Sequence, residues 1–386
     1  MKLEELKAKF LQTYGQMAQA GFFAPGRINL IGEHTDYNGG FVFPCAISFG
    51  NYCLVRRTDQ AVIKLRSLNM SFEADIPLSE LSMAISNEWV NYVIGVFAQF
   101  ISRGLQITHG LEMLYYGDVP PGAGLSSSAA IEVVTAVAIN TLFGFGIDGQ
   151  SLALMCQKAE HDFAGVHCGI MDQFASAMSK QGHALFLNCD SLDYQLVPLE
   201  LGDHKIVISN TNSPHKLDSG KYNERVAECR QAVTEMQKGK KFSFLAELDP
   251  DEFSTLEHLI SDEKVRRRAL HVVEETARTK DAVDALIKGD LSRFGKLMTA
   301  SHKSLKENYE VTGFELDTMN EEALKNVGVL GSRMTGGGFG GCTVSIVHKD
   351  AMANFIENTG KNYRQKTGLT PQFYIAETQD GGKQIF

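Results

Sequence analysis

The chain has 386 residues, 44% hydrophobic and 22% charged, with a formal net charge of −9. That length allows two domains of the usual size, roughly 100–200 residues each, with substantial cores. The acidic balance, with Lys264-Val-Arg-Arg-Arg268 as the one compact basic run, argues against a nucleic-acid binder.

In chain order, residues 2–18 carry Leu3, Leu6, Phe10 and Leu11 at helical spacing, a charged amphipathic segment rather than a signal-like one. Gly26–Pro44, GRINLIGEHTDYNGGFVFP, crowds polar groups of mixed charge between glycines. Phe41–Ile47, Tyr52–Arg56 and Ala61–Ser67 read as strands, and Glu88–Arg103 as a helix. Leu111–Tyr116 is a strand ending in the turn residues Gly117-Asp118. Ser126–Leu142, Ser151–Phe163 and Ile170–Ser179 are predicted helices. The most apolar stretch, Ala129–Ile147, contains Glu132, Thr135, Asn140 and Thr141, which are costly in lipid. It reads as a buried helix closed by a turn at Phe143–Gly146, so neither a membrane span nor a targeting signal is expected.

Ala184–Asn188 and Tyr194–Pro198 are predicted paired strands, followed by a strand at Lys205–Asn210. Tyr222 to Ala323 is mostly helical. Val327–Met334 and Cys342–Val347 read as strands around a glycine run, Asp350–Thr367 as a helix and Gln372–Ala376 as a closing strand. Without a regular βαβα alternation, the class is α+β with mixed sheets rather than doubly wound. The domain change falls near residues 190–205, giving parts 1–195 and 196–386. Seven cysteines without a C-x-x-C pair suit reduced thiols in a cytoplasm.

PPGAGLSSSAA, Pro120–Ala130, joins a predicted strand to a predicted helix. Gly122 and Gly124 let the backbone turn tightly beside a ligand. Ser126, Ser127 and Ser128 can cap the helix, whose first N–H groups are free to bind an anion. A simple loop and N-cap is the competing reading. No Lys precedes the serines, so this is not a Walker A loop, and a nucleotide here needs neutralisation from Mg²⁺ and from basic groups elsewhere. In the opening stretch, Glu33, His34 and Asp36 can accept or donate hydrogen bonds to a polyol; a solvated turn is the plain alternative.

PPGAGLSSSAA resembles the second motif of the GHMP kinases, and GSRMTGGGFGGC, Gly331–Cys342, resembles their C-terminal motif. GRINLIGEHTDYNGGFVFP is similar to the signature of the galactokinase family within that superfamily, as are GIMDQF (Gly169–Phe174) and SGKYNERV (Ser219–Val226). The resemblance runs from about residue 21 to 378, with conservative departures at Ile28 and Phe43. It implies a two-domain fold with ATP and sugar held between the domains, and transfer of phosphate from Mg-ATP to the C1 hydroxyl of α-D-galactose.

By that resemblance, Glu33, His34, Thr35, Asp36, Gly169 and Tyr222 bind galactose, while Tyr37 and Asn38 shape the loop. Asp172 is the base and Arg27 its partner. Gly122, Ala123, Gly124, Leu125, Ser126, Ser127 and Ser128 hold the nucleotide, with Ser67 as a further contact. Ser128 and Glu160 ligate Mg²⁺. Taken alone, Asp172 reads as an N-terminal helix residue, Glu160 as an exposed helix charge and Tyr222 as a helix-surface or core aromatic. TGGGFGG, Thr335–Gly341, is expected to bend toward the nucleotide phosphates or the phosphate helix, against the alternative of a purely structural hairpin. His161, Asp162, His167 and Cys168 offer a rival zinc reading, disfavoured because the i, i+6 spacing does not place both rings on one helical face. The alternatives in function are an N-acetylgalactosamine kinase and a non-catalytic sensor of galactose and ATP. A cytoplasmic monomer with no nucleic-acid or membrane partner is expected.

Overall fold

The computed structural model describes residues 1–82, 84, 88–120, 122–213 and 219–386; Pro121 of the serine-rich loop lies outside the described residues. The elements are α1 (Leu3–Tyr14), β1 (Ala20–Asn29), β2 (Phe41–Val42), β3 (Pro44–Thr58), β4 (Val62–Ser67), β5 (Ala74–Pro77), α2 (Val90–Ser102) and β6 (Gly110–Gly117). There follow α3 (Ser127–Phe143), α4 (Gly149–Ala159), α5 (Met171–Met178), β7 (His183–Asn188), β8 (Tyr194–Pro198), β9 (His204–Asn210) and α6 (Ser219–Met236). The chain closes with α7 (Pro250–Leu256), α8 (Glu263–Ile287), α9 (Leu291–Ser304), α10 (Gly313–Leu324), β10 (Val329–Thr335), β11 (Cys342–His348), α11 (Met352–Thr367), β12 (Gln372–Ala376) and β13 (Lys383–Gln384).

The first sheet has the order β13-β1-β3-β6-β4-β5 and is antiparallel except for the β4–β6 pair. Its alternation is that of a sheet covered on both faces. Cys53 and Val55 point into a core with Val93 and Phe97 of α2 and Val133 of α3, whereas Leu54 packs against Leu6 and Phe10 of α1. The second sheet, β10-β11-β9-β12, alternates the same way: Ile206 and Ile208 face α9 residues Phe294 and Met298, and Val207 faces Phe355 of α11. The α+β expectation with mixed sheets therefore holds.

Two differences from the sequence reading bear on the site. The boundary at 195/196 falls inside β8, which pairs with β7; the chain changes sheet after it, and β9 opens the second sheet. Ile28, Phe43 and Cys45 share one core with Ile208, Val344 and Phe294, so the two sheets are bonded by apolar packing rather than by a linker. Truncating a fully buried aromatic such as Phe43 to alanine in such a place costs about 3–5 kcal/mol. Gly26, expected to begin a bent segment, lies instead inside β1, a ten-residue buried strand with a register shift between Pro25 and Arg27. The bulge re-aims the chain, and Arg27 leaves it toward the serine-rich loop.

Candidate active site

The serine-rich loop runs from the end of β6 into α3. Gly122 (φ 66°), Gly124 (φ 68°) and Ser126 (φ 62°) take left-handed conformations, interleaved with Ala123 and Leu125. Such alternation turns successive backbone N–H groups toward one point, a concavity that suits anions. Ala123 and Leu125 are buried and anchor the loop to the shared core. The expected serine cap differs in detail: Ser126 is the N-cap residue but makes no side-chain capping bond. Its hydroxyl donates to Asp172 Oδ2 at 2.6 Å. The first amides of α3 thus keep no side-chain partner from Ser126 and point to the loop, as an anion site requires.

Asp172 stands in the first turn of α5. The Arg27 fork meets it with both arms, Nε to Oδ1 at 2.9 Å and Nη2 to Oδ2 at 3.0 Å. Arg27 Nη1 donates to the carbonyl of Gly124 at 2.7 Å, and Arg27 N donates to Leu125 O. Arg27 is almost wholly buried while the Asp172 side chain keeps 26% exposure. One guanidinium therefore ties the base candidate to the phosphate loop. Such bidentate charge-assisted pairs are the strong, geometrically specific ones.

Glu160 ends α4, where the helix widens into a π turn over Glu160–Ala164, a device common at functional sites. It is buried, not the exposed helix charge of the plain reading. Its carboxyl bonds with Ser128, and burial, then the neighbouring Asp172 charge, push it up to about 7. Gln173 Nε2 reaches Glu160 Oε2 at 2.5 Å and Glu132 Oε2 at 3.1 Å. Glu132 is fully buried, its Oε1 and the Gln173 Oε1 have no partner, and burial drives the Glu132 carboxyl well up. Gln173 follows Asp172 inside GIMDQF, and Glu132 lies one helical turn beyond Ser128. That i, i+4 spacing was the available signal for Glu132, and the sequence reading missed it.

The rival zinc group differs from its description. The His161 and His167 rings do meet, 5.5 Å between centroids, because the chain leaves the helix between them. His161 Nε2 is taken up by the Cys168 carbonyl at 2.8 Å, and Asp162 pairs with Lys158 at 3.0 Å.

The sugar-signature loop, residues 30–40, brings Asp36 within electrostatic reach of Asp172. Its Asp36 is half-buried, and burial, then Asp172, raise its carboxyl to about 7. Gly169 packs directly on it: a Cβ there would sit 2.0 Å from Asp36 Oδ2. Gly169→Ala is expected to displace the Asp36 carboxylate and raise the KM of the ligand held by that loop about tenfold or more, with the KM of a ligand at the serine-rich loop little changed, in steady-state kinetics. His34 lies beside Tyr222, 5.9 Å between ring centroids. Tyr222, on α6, also approaches Tyr37 at 5.4 Å and the backbone of Gly337.

Two expected sugar contacts are otherwise engaged. Thr35 is fully buried and its hydroxyl lies 2.9 Å from the carbonyl of Gly32 and 2.8 Å from that of Phe41, so it closes the loop. Glu33 is also buried; its Oε1 accepts from Gly336 N at 2.8 Å and from Arg333 Nη1 at 3.3 Å. It joins the sugar loop to the glycine run. Behind both, Glu275 of α8 accepts from Gly32 N at 3.0 Å and from Ser301 Oγ at 2.5 Å and pairs with Arg278. Although burial alone would raise its carboxyl, the Arg278, His271 and Arg333 charges hold it down at about 2. Sequence reasoning assigned no role to Glu275 or Arg333; Arg333 stands inside the quoted GSRMTGGGFGGC motif, whereas no local pattern marks Glu275.

The glycine run bends as expected toward the phosphate loop: a Cβ on Gly336 would lie 2.7 Å from Gly124 O, and one on Gly341 3.2 Å from Ala123 O. Ser67 ends β4. Its hydroxyl accepts from Asn69 N and Met70 N in a turn, and the Asn69 side chain clasps Gly117 where the phosphate loop departs. The result is an anion cradle, a carboxyl side chain held by an arginine fork, a buried carboxyl with a hydroxyl beside it and a polar loop near them. Such parts can transfer a phosphoryl group to a hydroxyl.

Comparison with known proteins agrees with this geometry. The model of the galactokinase galactose-binding signature matches residues 8–57, that of the GHMP kinases N terminal domain residues 91–180, and that of the GHMP kinases C terminal residues 282–365. A galactokinase of Fusobacterium nucleatum is 48% identical over 389 residues, spanning 99% of this chain and 100% of the relative. One from Clostridium acetobutylicum is 48% identical over 382 residues, 98% of each chain. The crystal structure of Lactococcus lactis galactokinase complexed with galactose superposes with a TM-score of 0.97 at 43% identity, covering 99% of each chain. The Methanococcus jannaschii mevalonate kinase shares the fold, with a TM-score of 0.67 at 17% identity over 93% of this chain and 98% of that one.

Proposed function

The chain belongs to the galactokinase family, whose members transfer phosphate to a sugar hydroxyl, and from that premise we propose how its residues do so. It phosphorylates α-D-galactose at the C1 hydroxyl with ATP, giving α-D-galactose 1-phosphate and ADP. The observation that carries the residue assignment is the single arginine, Arg27, bonded at once to Asp172 and to Gly124 of the phosphate loop.

In this reading the loop from Gly122 through Ser128 cradles the ATP phosphates, with the 67–70 turn beside it. Asp36, His34 and Tyr222 hold the sugar, and Gly169 leaves room for Asp36. Asp172 orients the anomeric hydroxyl and takes its proton as O1 bonds the γ-phosphorus and the bond to ADP breaks. Arg27 orients Asp172 through its paired bonds and offsets charge on the moving group. Phosphoryl transfer passes through a loose, highly charged transition state, so positioning and charge stabilisation supply most of the catalysis.

Ser128 and Glu160 fit Mg²⁺. They form a hydroxyl and a carboxyl in mutual contact, and the buried Glu132 Oε1 and Gln173 Oε1 lack partners close by. Mg²⁺ prefers one or two such oxygens, with phosphate oxygens and water completing its shell. When bound it neutralises phosphate charge. Glu160→Gln is expected to raise the Mg²⁺ concentration for half-maximal rate about tenfold or more. An unchanged magnesium titration removes Glu160 from the ligand set.

The test of the reaction is ADP release from Mg-ATP with galactose, N-acetylgalactosamine, glucose or mevalonate in parallel. Turnover with galactose is the expected result. Equal turnover with N-acetylgalactosamine shifts the substrate assignment, and galactose binding without turnover turns the reading to a sensor. We propose a cytoplasmic location, which the seven unpaired cysteines fit, and take the protein as a monomer. Sedimentation equilibrium checks the monomer. No helix among the described residues is long and apolar enough to cross a membrane.

A further inference from the structure

His34 stands at the end of a chain of hydrogen-bonding side chains that reaches away from the sugar site. Its backbone is left-handed (φ 62°) and the residue is 4% exposed. Its Nδ1 lies 2.9 Å from Tyr37 Oη, which lies 2.7 Å from Tyr309 Oη, which lies 3.2 Å from Cys229 Sγ. Tyr309 packs on the ring itself, 4.8 Å between centroids. At the other end, His34 Nε2 is buried without a hydrogen-bond partner. The Gly337 backbone carbonyl lies close enough to interact with the ring as a hydrogen-bond acceptor, so a sugar oxygen would compete with it for the ring N–H.

Burial, with His271 and Arg225 nearby, lowers the His34 imidazole to about 3, so the ring is neutral and carries one N–H. Burial pushes the Tyr37 and Tyr309 phenols well above their ordinary value, so both keep their protons. A neutral imidazole nitrogen is a better base than a phenol oxygen, and a phenol is a better acid than a neutral imidazole N–H. The stronger arrangement therefore has Tyr37 donating to Nδ1, Tyr309 donating to Tyr37 and the Cys229 thiol donating to Tyr309. Hydrogen bonds chained in one direction reinforce each other in a low-dielectric interior.

We propose that Tyr37, backed by Tyr309, is a positioning residue that fixes His34 as its Nε2–H tautomer, a committed hydrogen-bond donor to an oxygen of the sugar. The inference rests on the reading of His34 as a sugar contact. It adds that the bound sugar must offer a lone pair, from a hydroxyl or the ring oxygen, at that point. An imidazole free to take either tautomer would accept a hydroxyl proton as readily and discriminate less.

Long-range ¹H–¹⁵N spectra of protein labelled at histidine, assigned with a His34→Gln variant, read the tautomer without any sugar. The expected wild-type signal is that of an Nε2-protonated ring. Tyr37→Phe retains the ring packing and removes only the hydroxyl. It should yield a mixture of tautomers and weaken galactose binding by about tenfold in calorimetry, with kcat at saturation and the Mg-ATP KM held within about twofold. Tyr309→Phe should act in the same direction but less, and the Tyr37→Phe/Tyr309→Phe double variant should be no weaker than Tyr37→Phe alone, since both hydroxyls serve one chain. An Nδ1-protonated ring in the wild type, or unchanged galactose affinity in Tyr37→Phe, overturns the proposal. Wild-type galactose affinity in His34→Gln sinks the sugar-contact reading itself, a failure the tautomer spectra keep distinct from the first two.

Discussion

Asp172→Ala is expected to bind galactose within a few-fold of the wild type and to lose about 10³-fold or more in kcat. The argument lies in the surroundings of the carboxylate. Two Arg27 nitrogens and the Ser126 hydroxyl all donate to it, which holds one rotamer. Its remaining exposure, 26%, leaves it accessible to a ligand. Glu33 and His34 are not bonded to it, so the sugar loop should survive its removal. Asp172→Asn is the sharper control, because its amide would present N–H groups to the arginine fork or to Ser126 and misdirect the side chain. Single-turnover measurements of ADP formation, with galactose binding measured separately, make the check. A kcat within about tenfold of the wild type would leave Asp172 a structural anchor for Arg27 rather than the base.

Arg27→Ala is expected to lower kcat by about 10²–10³-fold while changing the Mg-ATP KM much less. Arg27 serves three partners from one buried position, both oxygens of Asp172 and the carbonyl of Gly124. Its loss releases the base and also one wall of the phosphate loop. Arg27→Lys separates charge from geometry. A lysine restores a positive point charge but cannot make the paired bonds to Asp172 and reach Gly124 together, so only partial recovery is expected. A defect confined to ATP binding, with kcat intact, would count against transition-state stabilisation.

The loops of this site were more legible than its scaffold. Gly122 and Gly124 are needed because φ is positive there, and composition records that need directly. The glycine run was legible for a related reason: Gly336 passes too close to Gly124 O for a side chain. β1 was not legible as a strand, because Pro25 and Gly26 interrupt its pattern and the bulge breaks the alternation. Glu160 reads as a solvated helix charge in KAEHDF, and only the π turn and the fold around it show why it is buried. Ser126 was assigned to the loop but not to Asp172, since that bond spans 46 residues. Glu275 on α8 lies far in sequence from the loop it supports, and Arg333, though inside the quoted glycine motif, meets Glu33 and Glu275 only across the fold; a buried ion pair leaves no periodic trace. Thr35 was taken with its neighbours as a sugar contact, although a buried threonine with two backbone carbonyls in reach is spent on the loop.

The pairing of β13 with β1 bears on how the chain folds as it is made. Phe22 and Phe23 of β1 meet Gln384 and Lys383, and Asn29 N is satisfied by Thr335 Oγ1, 306 residues away. During vectorial synthesis the strand that carries Arg27 is therefore an open edge until nearly the whole chain has been released. Contacts of such separation close late, and an unpaired edge meanwhile is a template for wrong partners. The contacts among Arg27, Gly124, Ser126 and Asp172 can form before that edge closes, whereas the ties of Asn29 to Thr335 and of Glu33 to Gly336 come after them.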